Sequence, residues 1–147
     1  MVPRLSQAMN VKVLLSNADW AWPQAVAEIF QPRGINALVA NSSREMVRII
    51  DNNRIHLAIL DLQFDHRSGL QTLKIVRKHN QLIPFILLAR QTDERVLSEA
   101  LTLDAFSVLA KPVDLSLLAQ KINRVFQKYY ASDMFSGGLR QQKNSLS

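Results

Sequence analysis

Apolar residues fall in five short runs along the chain, separated by stretches with helical spacing. The runs are 11–16 (VKVLLS), 35–40, 57–60, 83–89 (IPFILLA) and 105–110 (AFSVLA). The run at 57–60 is too short for a helix, and all five read as strands. The first helix is expected over 20–33, starting near Trp22, because Pro23 is tolerated only in a first turn. Ala25, Val26, Ile29 and Phe30 form its apolar stripe, and Gly34 caps its end. Ser42 to Glu45 has the Ser-x-x-Glu form of a capping box and opens a helix that carries Met46, Val47, Ile49 and Ile50. It stops near Asn52-Asn53.

The third helix is expected from about Ser68 to Lys78, with Leu70, Leu73 and Val76 inward and Lys74, Arg77 and Lys78 outward. Pro84, near the start of the fourth strand, needs a place where its missing N–H is not required. Thr92 is an expected N-cap, with Asp93 and Glu94 well placed against the helix dipole, and that fourth helix runs to about Leu103. Lys111-Pro112 ends the fifth strand. The fifth helix starts near Asp114 and reaches about Tyr130, with Leu115, Leu118, Ile122, Val125, Phe126 and Tyr129 in helical register. Strand and helix alternate five times. The pattern predicts an α/β fold, a doubly wound five-stranded parallel sheet with five helices on its two faces. Residues 1–10 read as a leader, 11–130 as the domain and 131–147 as a flexible polar tail.

Within this pattern the stretch 55–70 (IHLAILDLQFDHRSGL) stands out. A buried strand delivers a carboxylate, Asp61, to its C-terminal tip, where ligands sit in open α/β sheets. The alternative is that Asp61 only caps the next turn. Composition narrows the choices. A chain of 147 residues suits one domain with a real core, and 48% hydrophobic with 20% charged residues predicts a soluble globular protein. No cysteine is present, which excludes disulfides and thiolate metal sites. No signal peptide or membrane span is read, so a cytoplasmic location is expected. The formal charge of +6 permits contact with an acidic protein, nucleic acid or an anionic surface. The positive residues are scattered and not interleaved with aromatics, so a basic nucleic-acid-associated module is an alternative resting on charge alone.

Other candidates carry little chemistry. His56, His66 and His79 lack metal-ligand spacing and are expected at the surface or in loops. There is no Gly-rich phosphate loop, and Ser16 has no nucleophile-elbow context. Trp20 and Trp22 lie beside the candidate site and read as helix-entry packing.

The strand tips would bring together Asn17-Ala18-Asp19, Asp61, Ala89-Arg90 and Lys111. In these residues the chain resembles the receiver domain of bacterial two-component response regulators, over about residues 11–130. Asp61 stands eight residues before Gly69 within DLQFDHRSG, much like the family's aspartate loop. Pro84-Phe85-Ile86 is similar to the start of its fourth strand, and Lys111-Pro112 follows the fifth. The distances from Asn17-Ala18 to Gly34 and to Asp61 also fit. The resemblance implies the flavodoxin-like receiver topology and an aspartyl-phosphate site. Asp61 would be the phosphoacceptor, since a carboxylate can attack a phosphoryl donor to give a labile acyl phosphate, and Lys111 would pair with the phosphate. Two acids after the first strand would help to hold Mg²⁺. A hydroxyl after the fourth strand and an aromatic in the fifth would read the phosphate out.

The departures from that pattern shape the expectation. The acidic pair falls on Asn17 and Ala18, with Asp19 one position late. Asp61 with the carbonyl of Gln63 would give no metal site or a weak one. The switch hydroxyl position holds Ala89, the switch aromatic position holds Val108, and Asp65 replaces the usual loop proline. Loss of the metal removes the main charge stabiliser of phosphoryl transfer. The expected protein is therefore a degenerate, or pseudo-receiver, acting in signal transduction by protein–protein interaction rather than as an enzyme, with no cofactor. Asp61 and Lys111 would then form either a structural ion pair or a residual catalytic one. Arg90 or Arg67 is a candidate charge substitute in the vacated metal site; the alternative is that both are solvated. A partner or a second copy would use the face of the fourth helix, fifth strand and fifth helix, including Val108, Leu109, Lys121, Arg124 and Lys128. No effector domain is expected, and output is expected to pass through that partner. The rival reading is a working phosphoacceptor, served by a histidine kinase or phosphorelay protein, with Mg²⁺ as cofactor. A flavin-binding protein of similar topology would want phosphate-binding loops that are missing here.

Overall fold

All five apolar runs form strands: β1 (Lys12–Ser16), β2 (Asn36–Ala40), β3 (Leu57–Asp61), β4 (Phe85–Ala89) and β5 (Ser107–Ala110). The computed structural model describes residues 11–16, 28–63, 69–79, 82–90 and 94–130. The strands are all parallel, in the order β2-β1-β3-β4-β5. Every residue of the central strands β3 and β4 is buried, as expected where helices cover both faces of a parallel sheet. The chain order reverses between β1 and β3, so the carboxyl ends of these neighbours, Ser16 and Asp61, border the crevice where such sheets bind ligands.

Four α-helices lie among the described residues: α1 (Ser43–Asn52), α2 (Gly69–His79), α3 (Glu94–Thr102) and α4 (Leu115–Tyr130). The expected first helix falls largely outside the described residues. Its end is seen: Glu28 and Ile29 are helical, a 3-10 turn covers Gln31–Arg33, and Gly34 adopts a φ of 70°. The Gly34 N–H donates to Gln31 O and the Ile35 N–H to Phe30 O, the two bonds of a Schellman cap. Helix α1 starts as its capping box predicts, with Ser42 Oγ accepting from the Glu45 N–H at 3.0 Å. Glu45 reaches one residue further back than the ideal box and accepts from the Asn41 N–H. Asp114 caps α4 by accepting from the N–H groups of Ser116 and Leu117.

Side-chain alternation along the strands divides the core into two layers. On one face Val13, Leu15, Leu57, Ile59, Ile86, Leu88 and Leu109 pack with Ile29, Phe30 and the α4 stripe Leu118, Ile122, Val125 and Phe126. On the other, Leu14, Ala58, Leu60, Phe85 and Leu87 pack with Met46 and Ile50 of α1, Leu70, Leu73 and Val76 of α2, and Ala100 of α3. Each such large apolar side chain contributes about 1.5–3 kcal/mol through its removal from water.

Three positions depart from the expected pattern. Arg77 is half-buried rather than outward. Its guanidinium donates to the carbonyls of Leu103, Asp104 and Ile83 and lies over the Phe85 ring. It thereby satisfies carbonyls beside Asp104, which ends α3 in the left-handed conformation with a φ of 60°. Tyr129 is exposed, and Tyr130 turns inward instead, because its hydroxyl finds the carbonyl of His56 at 2.6 Å. His56 is buried rather than at the surface, with its ring edge-on to that of Tyr130.

Candidate functional site

The carboxyl edge of the sheet gathers four strand ends. Three bonds donated by backbone amides align them: Leu62 N–H to Leu88 O, Lys111 N–H to Ala89 O, and Asp61 N–H to the side-chain hydroxyl oxygen of Ser16 at 2.8 Å. Ser16 is fully buried and ends β1 beside β3. It fixes the height at which the Asp61 carboxylate projects, a role that sequence reasoning missed. The visible signal was a hydroxyl closing an otherwise apolar strand.

The Asp61 carboxylate is almost enclosed, and both its oxygens are engaged. Oδ1 accepts from the Gln63 N–H at 2.9 Å, and Oδ2 accepts from Lys111 Nζ at 2.6 Å. Side-chain exposure is 5% for Asp61 and 18% for Lys111, so water screens this pair far less than a surface one. Both readings of Asp61 have a footing here. The Oδ1 bond to the residue two positions on is an Asx turn, and the Oδ2 bond is a charge-assisted ion pair. The sequence expectation that Asp61 and Lys111 meet at one strand edge matches this arrangement.

The other predicted site residues divide. Ala89 is buried at the end of β4 and brings a methyl group where the resemblance called for a hydroxyl. Val108 is half-buried and packs against the α1–α3 layer of the core. Leu109 points into the opposite layer and is buried, so it offers nothing to an outer face. Arg90 is exposed and is not among the ion-pair partners of Asp61 among the described residues. The ammonium of Lys111 reaches Oδ2 from the turn after β5. Asn17, Ala18 and Arg67 lie outside the described residues.

Mg²⁺, the ion the resemblance implies, does not fit this donor set. The carboxylate of Asp61 has an ammonium on Oδ2 and an amide on Oδ1. The adjoining acid positions of the pattern are Asn17 and Ala18, which supply no carboxylate. The ion wants octahedral oxygen donors, with one or two carboxylates among them. Among the described residues no group of three or more His, Cys, Asp or Glu side chains is arranged to hold a metal. No helix among them is long and apolar enough to cross a membrane.

Comparison with known proteins agrees with this geometry. Residues 13–123 match the family model described as the response regulator receiver domain. The chain is 29% identical over 121 residues to response regulator RR06 of Streptococcus pneumoniae, covering 82% of this chain and 55% of the relative. It is 28% identical over 123 residues to the transcriptional regulatory protein CpxR of Escherichia coli, covering 83% and 52%. The chain thus spans about half the length of the curated relatives it matches. Among solved structures it is similar to the receiver domain of Francisella response regulator 1452, with a TM-score of 0.71, 27% identity, and coverage of 81% of this chain and 98% of that one. A CheY-like receiver domain from Methanospirillum hungatei shares the fold, with a TM-score of 0.74 at 20% identity and coverage of 82% and 97%. A 2-1-3-4-5 parallel sheet with an aspartate at the tip of β3 and a lysine after β5, matched along most of its length by one family model, belongs to the response regulator receiver domain family of two-component signalling.

Proposed function

We propose that this receiver signals through protein–protein contact without Mg²⁺-dependent phosphorylation. The observation that carries the reading is that both oxygens of the Asp61 carboxylate are engaged, one by Lys111 and one by the Gln63 amide. An in-line phosphoryl donor needs a free carboxylate oxygen and a counter-charge on the transferring group. Here the cation that pairs with Asp61 among the described residues, Lys111, already neutralises the nucleophile, and the positions that would add acids or a hydroxyl are Asn17, Ala18 and Ala89. The lysine–aspartate pair is then a permanent brace between β3 and the turn after β5.

The partner surface would be the outer face of α3, β5 and α4. Leu101 and Tyr129 are exposed there, and Lys128 lies 5.7 Å from the Phe106 ring centroid and 5.3 Å from that of Tyr129. Arg124 and Lys128 are exposed on α4, which favours a partner with acidic residues at the rim of its contact.

The working-phosphoacceptor reading is kept because Asp61 and Lys111 are both in place. Incubation of the protein with a small-molecule phosphodonor and Mg²⁺, followed by intact-mass measurement, separates the two. Our reading expects no phosphoryl adduct. An adduct that disappears in Asp61→Asn would establish the phosphoacceptor and overturn our reading.

A further inference from the structure

The opposite edge of the sheet holds an ionisable group that the receiver chemistry does not use. His56 lies just before β3 and is 2% exposed. Its Nδ1 accepts from the Lys12 N–H at 3.2 Å, while its own N–H donates to Lys12 O at 2.9 Å. An accepting Nδ1 puts the ring proton of the neutral imidazole on Nε2. Nε2 is buried and has no hydrogen-bond partner among the described residues. Tyr130, the last residue of α4, covers the ring edge-on at 5.3 Å between centroids, and its hydroxyl donates to the His56 carbonyl. One residue therefore ties β1, the start of β3 and the end of α4 together.

We propose that His56 is an acid-sensitive clasp, fastening the last turn of α4 to the amino edge of the sheet while neutral and releasing it when protonated. A second ring proton can go only on Nδ1, where it meets the Lys12 N–H that now donates to that atom. A backbone hydrogen bond to Lys12 favours the protonated ring, but less than burial and Arg54 oppose it, and the facing side chains supply no opposite charge. They are Lys12 from β1, Arg54 from the preceding loop and Tyr130 from α4, and no carboxylate acts on it among the described residues. Lys12 Nζ is itself turned to Asn53 Oδ1 at 2.7 Å. Burial pushes the His56 pKa down, and the positive charge of Arg54 pushes the same way. Burial also holds Tyr130 as the neutral phenol, its pKa pushed up to about 12, so its bond to His56 O persists across the acid range.

The sign follows from linkage. Below the ordinary histidine value of 6.5 the released ring binds a proton and the clasped ring does not. Clasp stability therefore falls as pH drops below 6.5 and stops falling once the pH passes the lowered folded value. Opening frees the C-terminal turn of α4 and, with Tyr129 beside it, loosens one side of the face assigned above to a partner. The clasp does not depend on whether Asp61 is phosphorylated.

The test is a pH series on the full chain, reading His56 ring resonances and amide hydrogen-exchange protection factors at residues 126–130 by NMR. His56 is expected to titrate below 6.5, and protection of the Tyr129 and Tyr130 amides to fall toward about tenfold per pH unit in the same range. His56→Asn, which keeps an acceptor near the Nδ1 position, is expected to flatten that dependence. An ordinary or raised His56 titration, or protection at residues 126–130 that ignores it, overturns the proposal. So does a pH profile in His56→Asn that equals the parent's. The ring titration needs no variant, so it decides the matter even where His56→Asn fails to fold.

Discussion

The two ends of β3 handle an ionisable side chain in opposite ways. At the carboxyl end, the Asp61 carboxylate accepts from Lys111 Nζ and the Gln63 N–H, and the backbone N–H of Asp61 is anchored on Ser16 Oγ. At the amino end, His56 sits among Lys12 and Arg54 with no acid among the described residues to balance a proton. Burial is similar, at 3% for Asp61 and 2% for His56. What differs is the partner. A buried charge persists where an opposite charge and hydrogen bonds replace its water; without them the group stays neutral. One edge is thus a fixed ion pair, and the other is a neutral joint that acid can open.

Removing the cation from the carboxyl edge is the strongest way to break this contrast. Lys111→Met should destabilise the fold by about 3 kcal/mol, the low end for a buried pair because Lys111 keeps 18% exposure, read as a shift in the urea midpoint. Adding Asp61→Leu to it should recover most of that loss, since an apolar pair leaves no buried charge behind. A loss under about 0.5 kcal/mol in Lys111→Met would make the bridge equivalent to a surface pair.

Ser16→Ala comes next. It strands the Asp61 N–H in a buried setting and should cost about 1–3 kcal/mol in the same assay. At the amino edge, Tyr130→Phe removes only the hydroxyl that meets His56 O and should cost about 1 kcal/mol at pH 7.5. The pH slope of the clasp should survive in that variant, because the bond between His56 Nδ1 and the Lys12 amide remains. A vanished slope would move the acid response from His56 to Tyr130.

The carboxyl edge was legible in the sequence for a physical reason. Alternating strands and helices force a parallel sheet, and a parallel sheet brings the residue after each strand to one edge. Asp61 and Lys111 stand 50 residues apart, yet each directly closes its strand, so their meeting could be read from the pattern. His56 had no such pointer. Its burial depends on Tyr130, 74 residues away, and on which of two adjacent tyrosines the last turn of α4 turns inward. Helical periodicity favoured Tyr129, and a single hydrogen bond to a backbone carbonyl decided for Tyr130. Arg77 was missed for a similar reason. Its place on α2 reads as outward until the end of α3 presents unpaired carbonyls to it.

An Asp61 site closed to phosphoryl groups should stay silent in one series of spectra. Amide NMR of the free protein would be recorded first, then with Mg²⁺, then with beryllofluoride as the phosphoryl mimic. No saturable change is expected at Ser16, Asp61, Ala89 or Lys111 up to millimolar additions, roughly the weak end of useful divalent-metal affinities. Saturable shifts at these residues that require both additions would contradict a closed site and restore Asp61 as a working phosphoacceptor.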